Sequence, residues 1–115
     1  MRIMSFARRW EKLDRKLFTT FRYTRKDRDW KVGERVQIFI QNRSPHRVFL
    51  GIAEIISHVP RTLDSGNHQL GIVTHNEAIA DGFNNLPEME SFMRAYYGRD
   101  FNPVFNKITL KWISA

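Results

Sequence analysis

Apolar residues near the start of the chain recur at spacings of four, three and four, which places them on one face of a helix. They are Phe6, Trp10, Leu13 and Leu17. Ser5 precedes them at a position suited to an N-cap. The spacing predicts a helix over 5–17. We expect the N-terminal segment 1–17 to pack on the rest of the domain as a basic amphipathic helix. Its cationic side chains lie mostly off the apolar stripe and face solvent or a ligand.

Further along, β-branched and aromatic residues cluster or alternate with polar ones, a pattern typical of strands. The predicted strands cover residues 18–23, 36–41, 47–57, 69–73 and 107–112. Gly51, inside the third of them, indicates a bulge or a close backbone approach. Polar loops rich in Pro, Gly, Asn and Ser separate the strands.

Two helices are predicted between the fourth and fifth of these strands. Thr74 and Glu77 fit the capping-box pattern, and Gly82 is placed to end the helix that they begin. Pro87 suits the first turn of a second helix, which Gly98 ends. Its apolar residues are expected to pack in the core: Met89, Phe92, Met93, Tyr96 and Tyr97.

This order of elements predicts the fold class. The chain has 115 residues, which suits one domain over 1–115. There are too few crossover helices for a doubly wound sheet, so we expect an α+β protein with a mixed or antiparallel sheet. We expect that sheet to curl into a small β-barrel with flanking helices, closed by the last strand.

Charge is distributed unevenly along the chain. Residues 1–36 hold twelve of the nineteen Lys and Arg but only five of the twelve Asp and Glu, so this segment accounts for the whole net charge of +7. A basic segment of this kind attracts polyanions such as nucleic acids. The alternative is a solvated surface that is charged for solubility.

Composition removes several classes of function. The absence of cysteine excludes disulfides, thiolate catalysis and cysteine-ligated zinc, and it is compatible with the cytoplasm. The four histidines have no metal-binding spacing, and no glycine-rich cofactor or phosphate loop is present, so we expect neither metal nor cofactor. No apolar run is long enough to span a membrane, and no secretory signal is visible. We expect no membrane partner.

Candidate ligand contacts concentrate in the Phe18–Arg28 strand and loop and just beyond it. Arg22 can hold a phosphate or stack on a base, or it can instead form an ion pair with Glu54. Tyr23 and Trp30 either stack on bases or cover the core. Thr19 is a further candidate. The cations of the following loop either contact phosphates or are merely solvated: Arg25, Lys26, Arg28 and Lys31.

Several short motifs occur in an order that resembles ASCH domains, which are similar in fold to the PUA domains of RNA-modifying proteins. The resemblance covers about residues 15–114. Its motifs are Phe18-Thr19-Thr20-Phe21-Arg22, Trp30 to Val36, Leu50 to Ile55, Glu77 to Phe83, Tyr96-Tyr97-Gly98, Asn102-Pro103-Val104 and Lys111-Trp112-Ile113. It implies a small barrel with a cleft for RNA or a nucleotide. We therefore favour a non-catalytic module that binds RNA, single-stranded nucleic acid or a nucleotide.

The resemblance also implies an alternative, because some small members look like hydrolases that act on acetylated cytidine, or like ribonucleases. Those members carry a threonine or glutamate two residues before the strand arginine, matched here by Thr20, and a lysine five residues before it, where this chain has Leu17. Lys16 is one position early. The expected acid would be Glu77 or Asp81, although the capping box already accounts for Glu77. A third alternative is a protein-interaction module that uses the N-terminal helix.

Overall fold

The computed structural model describes residues 1–25, 27–64, 66 and 70–114. Ser114 is described by its backbone alone. Six strands form one mixed sheet, and two helices follow the fifth strand. The strands are β1 (Arg2–Phe6), β2 (Leu17–Arg22), β3 (Arg35–Ile40), β4 (Val48–Thr62), β5 (Gly71–Ile72) and β6 (Val104–Ser114), and the helices are α1 (His75–Ala80) and α2 (Leu86–Tyr97). The fold is therefore α+β, as the sequence predicts.

The order of the strands across the sheet is β1-β3-β4-β6-β2, with β5 paired to the far end of β4. The β1–β3 and β4–β5 pairs are parallel and the others are antiparallel. The long β4 pairs with β3 through its first half and with β6 through its second half. Among the described residues no ladder joins the edge strands β1 and β2, so the sheet is not closed and the predicted barrel is not confirmed.

The prediction of a helix over 5–17 is wrong. Residues 2–6 form β1, which pairs in parallel with β3, and only Glu11–Asp14 make a short 3-10 turn. Backbone hydrogen bonds to the open edge of β3 outweigh the weak local preference for a helix. Phe6 and Leu13 still enter the core, but Leu17 is about half exposed and Lys12 is buried, which is the reverse of the helical expectation.

The two helices and the strands β2 and β3 agree closely with the sequence, whereas β5 covers only Gly71–Ile72 of the strand predicted over 69–73, whose first residue lies outside the described residues. The capping box of Thr74 and Glu77 begins α1, and Pro87 lies in the first turn of α2. The register of the β3–β4 ladder shifts beside Gly51, so the bulge predicted there is present. β4 and β6 are longer than predicted, because they pair with each other beyond their apolar segments.

Two apolar clusters form the core. One lies within the curve of the sheet and includes Met4, Ile38 and Leu110. The other lies between the sheet and the helices and includes Met89, Met93, Phe21 and Phe105. Trp10 packs against both clusters from the segment between β1 and β2. No helix in the described part of the chain is long and apolar enough to cross a membrane.

Candidate ligand-binding cleft

A cleft of about 570 Å³, including the part open to solvent, lies where the edge strands β1 and β2 face each other beside α2. Polar and charged side chains from distant parts of the chain meet in it. They include Ser5, Lys12, Thr20, Arg22 and Asp81, and aromatic rings complete the wall.

Lys12 and Asp81 form a buried ion pair in this cleft. The Lys12 ammonium donates to Asp81 Oδ1 at 2.7 Å, and both side chains are about 5% exposed or less. Thr19 donates to the same oxygen at 3.4 Å. Within the described residues Asp81 Oδ2 accepts no side-chain hydrogen bond, so this oxygen is available to a donor from a ligand.

Arg22 extends from β2 into the same cleft. Its Nη2 donates to the main-chain carbonyl oxygen of Ser5 at 2.8 Å, and its Nε donates to Thr20 Oγ1 at 3.2 Å. The ion pair with Glu54 that the sequence allowed is not formed, because Glu54 pairs with Arg35. Arg22 therefore connects the two edge strands and leaves its guanidinium next to the cleft.

Burial shifts the ionisation of these groups. It lowers the pKa of the Lys12 ammonium and raises the pKa of the Asp81 carboxyl, and the attraction between the two opposes both shifts. Burial also lowers the pKa of the Arg22 guanidinium, although arginine stays charged at physiological pH. Charges of both signs in this cleft are poorly solvated. A ligand that supplies matching hydrogen-bond donors and acceptors can therefore bind favourably, because it replaces the missing solvation.

Aromatic rings form the outer part of the cleft. Phe92 meets Trp10 edge-on with ring centroids 5.7 Å apart and stacks on Tyr96 at 5.9 Å. Tyr96 is 63% exposed and Phe92 is 37% exposed. The sequence predicted both as core residues, but α2 directs only Met89 and Met93 fully inward. An exposed, flat ring surface therefore lies beside the buried charges.

The predicted ligand contacts on β2 lie at or near the cleft. Thr20 and Arg22 line it, and Thr19 reaches it through Asp81. Arg25 lines an adjoining pocket and pairs with the exposed Asp27. Tyr23 does not present its ring there, because it stacks on Phe105 and exchanges hydrogen bonds with the backbone of Asn102.

The remaining predicted contacts lie elsewhere. Trp30 is 4% exposed and belongs to the core, and its edge forms part of the wall of the adjoining pocket that Arg25 lines. Arg28 and Lys31 line a separate small depression with Glu34, and that depression shares no residue with the cleft. Lys26 lies outside the described residues. The described cations of the loop thus line two separate depressions.

Of the residues proposed for catalysis, the structure brings Thr20 and Asp81 to the cleft but not the others. Lys16 is exposed and lines a different groove. Glu77 accepts hydrogen bonds from Lys107 at 2.6 Å and Arg61 at 3.3 Å. Burial opposes ionisation of Glu77, but the Lys107 hydrogen bond holds the pKa of that carboxyl below its usual value. The proposed group of Lys16 with Thr20 and either acid is therefore not assembled.

Sequence reasoning missed Lys12, whose ammonium occupies the cleft instead of Lys16. Its partner Asp81 is 69 positions away, so no local pattern could have indicated the pair. Within the described part of the chain, no three His, Asp or Glu side chains gather in a way that could hold a metal ion.

Comparison with known proteins does not assign this chain to a family. No family model, no curated protein and no solved structure matches the chain.

Proposed function

We propose that this protein is an RNA- or nucleotide-binding module that holds a nucleobase in the cleft between β1 and β2. One observation carries the proposal. The buried Lys12–Asp81 pair and Arg22 lie beside the exposed rings of Phe92 and Tyr96 in one cleft. A base offers a flat ring for stacking and an edge of donors and acceptors, and its phosphate carries negative charge.

Each chemical part of a nucleotide has a complement in the cleft. The exposed face of Tyr96 or Phe92 suits a base, since stacking on an aromatic side chain contributes about 1–3 kcal/mol per base. Asp81 Oδ2 suits an N–H group on the edge of the base. The Nη1 group of Arg22, which donates no hydrogen bond within the described residues, suits a base carbonyl or a phosphate oxygen.

The finer assignment of the fold belongs to the same proposal. The open edges of β1 and β2, joined by the Arg22 side chain, are compatible with a PUA-like barrel that is left open at the ligand site. The motif order from Phe18 to Ile113 resembles ASCH domains. A cysteine-free composition suits a reducing compartment, and we propose the cytoplasm.

The test is binding of a fluorescein-labelled, mixed-sequence RNA of about ten nucleotides, measured by anisotropy. The cleft variants are Phe92→Ala and Tyr96→Ala, and the matched control is Phe49→Ala. Phe49 is 50% exposed, similar to the two cleft rings, but lines a different groove. We expect about a ten-fold loss of affinity for each cleft variant and less than about a two-fold change for the control. Equal effects of all three would overturn the proposal, and so would failure of the unaltered protein to bind both this RNA and the nucleoside monophosphates.

The same cleft supports a second candidate function, a small hydrolase acting on acetylated cytidine. The observation in its favour is that Lys12, Asp81 and Thr20 gather there, and that burial lowers the pKa of the Lys12 ammonium. A general base must reach the proton that it removes within about 3 Å. The test is release of acetate from N4-acetylcytidine, with RNA cleavage assayed in parallel. Activity that Lys12→Met abolishes would favour the hydrolase, and its absence in both assays would leave the binding module.

A further inference from the structure

Two basic pockets adjoin the cleft, one at each end. The first, here called the Arg8 pocket, is lined by Arg8, Arg9 and Arg15 among others. The second, here called the Arg43 pocket, is lined by Arg22, Arg25 and Arg43 among others. Glu11 is the one acidic residue among the described residues that line the Arg8 pocket, and none lines the Arg43 pocket. Both pockets therefore have a strongly positive lining.

The residues that the pockets share establish their arrangement. The cleft shares Trp10, Lys12 and Phe83 with the Arg8 pocket. It shares a different set with the Arg43 pocket: Ser5, Phe6, Ala7, Arg22 and Tyr96. The two basic pockets have no lining residue in common. The cleft therefore lies between them, and the three adjoining depressions, here called the track, follow one another across the open edge of the sheet.

Two arginines of the track are held by exposed ion pairs that a phosphate can replace. Arg9 pairs with Asp14 and Arg25 pairs with Asp27, and all four side chains are more than 40% exposed. Exposed pairs of this kind contribute little, about 0–1 kcal/mol. Arg8 lies with its guanidinium 3.6 Å from the centre of the Trp10 ring. This stacking orients a cation at the boundary between the Arg8 pocket and the cleft.

We propose that the ligand is a single strand that passes through the cleft, with an internal nucleotide in the cleft and the flanking phosphates in the Arg8 and Arg43 pockets. This inference rests on the proposed function, and it specifies the class of ligand. A mononucleotide or a chain end occupies one basic pocket at most. A continuing strand occupies both, so the protein prefers an internal nucleotide to a free one.

The first experiment compares ligands of different length. The probes are the labelled ten-nucleotide mixed-sequence RNA, a DNA of the same length, and the four nucleoside 5′-monophosphates as competitors. We expect the oligomer to bind at least about 100-fold more tightly than any monophosphate. Each phosphate contact in a single strand adds about 0.7 to the slope of log K against log salt, so four contacts give a slope of about −3. Comparison of RNA with DNA reveals whether the 2′-hydroxyl contributes.

The second experiment removes the charge of each pocket separately. The variants are Arg8→Ala with Arg15→Ala, and Arg25→Ala with Arg43→Ala. The matched control is Arg28→Ala with Lys31→Ala, which removes the same charge from the separate depression. All six side chains are exposed, so these variants should fold. We expect each pocket variant to lose about ten-fold in affinity for the oligomer and about 1.4 in salt slope, while the control changes little.

The outcomes separate this inference from the proposed function. Monophosphates that bind as tightly as the oligomer, or one pocket variant that behaves like the control, would refute a strand that crosses the cleft while leaving a nucleotide site intact. Failure of the oligomer and of all four monophosphates to bind would refute both. Equal losses in the two pocket variants and the control would indicate attraction to net charge alone, and would also refute the inference.

Discussion

Arg22 Nη2 donates a 2.8 Å hydrogen bond to the carbonyl oxygen of Ser5, and this bond joins the two edge strands of the sheet. In a closed barrel, backbone hydrogen bonds would make that connection. Here a side chain of β2 bonds to the backbone of β1, which leaves space between the strands. The same guanidinium lines the cleft, so one residue connects the edges of the sheet and contributes to the proposed ligand site.

Replacement of Arg22 should therefore lower stability as well as affinity. Arg22→Met keeps the apolar stem and removes the donors. We expect the free energy of unfolding to fall by about 2 kcal/mol, because a hydrogen bond from a charged donor to a half-buried carbonyl is lost. Urea denaturation measures it. The control is Arg94→Met, which removes an exposed pair with Glu90 and should cost about 0.5 kcal/mol or less. Equal costs would show that the bond to Ser5 contributes nothing.

The buried pair of Lys12 and Asp81 predicts strong thermodynamic coupling. Lys12→Met leaves a buried carboxyl without its partner, and Asp81→Asn leaves a buried ammonium. We expect each to lower the free energy of unfolding by about 3–5 kcal/mol and the double variant to lose much less than the sum. Urea denaturation of the four proteins completes the cycle. Additive losses would show that the two charges do not stabilise each other.

The pH dependence of Lys12→Met provides a second check on the pair. Without Lys12, the strongest attraction that opposed the raised pKa of Asp81 is gone, and only the weaker effects of Thr19 and Arg22 still oppose burial of that carboxyl. A folded-state pKa above the unfolded one contributes stability that is lost as the pH rises through it. We therefore expect this variant to be more stable at about pH 5 than at about pH 8. The double variant, which lacks the carboxyl, is the control. If the free energy of unfolding of Lys12→Met depends on pH no more than that of the double variant does, the pKa of Asp81 is not raised.

Much of the fold could be predicted from the sequence because its signals are local. The capping box at Thr74, the proline of α2 and the alternation in β3 each act within a few residues. The helix predicted over 5–17 failed because the pairing of β1 with β3 joins segments more than thirty positions apart. An apolar spacing of three and four residues suits both a helix and a strand followed by a turn, and only the tertiary partner decides between them.

The candidate site was harder to predict than the fold. Thr20 and Arg22 were found because they lie on one strand with a recognisable motif. Lys12 was missed because it meets Asp81 only after the chain has formed the whole sheet. Arg25 and Arg28 lie in the same basic loop and have the same chemistry, yet they line different depressions. Sequence pattern could not distinguish them, because the path of the loop depends on long-range contacts such as that of Arg2 with the backbone of Asp29.

The ion pair between Arg2 and Glu34 should make the stability of the fold depend on pH in the acid range. Arg2 donates to both carboxylate oxygens of Glu34 at 2.6 Å, and these hydrogen bonds lower the pKa of Glu34. A depressed folded-state pKa contributes stability that is present above the usual value of 4.5 and is lost as the pH falls through the lower folded value. At neutral pH the unaltered protein should be more stable than Glu34→Gln by about 1 kcal/mol in the free energy of unfolding. As the pH falls from about 7 to about 3, the variant should lose less of this free energy than the unaltered protein does. Parallel urea profiles would contradict this role.

Gly82 and Gly33 form a matched pair for testing the wall of the cleft. Both have positive φ, at +113° and +89°, where an L side chain is strained. A Cβ on Gly82 would lie 2.9 Å from Trp10 Cε3, whereas a Cβ on Gly33 would meet nothing within 4 Å. Gly33→Ala therefore measures backbone strain alone, at about 1–2 kcal/mol. Gly82→Ala should cost about 1–3 kcal/mol more, because Trp10 must move.

The displacement of Trp10 should also affect ligand binding. Trp10 contacts Phe92 and lines both the cleft and the Arg8 pocket, so a shift of its ring changes the surface offered to a base. We expect Gly82→Ala to weaken binding of the labelled RNA several-fold under conditions in which the variant remains folded, and Gly33→Ala to leave binding unchanged. Far-UV circular dichroism at the assay temperature verifies folding. Unchanged affinity in both variants, with the extra destabilisation present in Gly82→Ala, would show that the Trp10 ring packs the core without forming part of the ligand site.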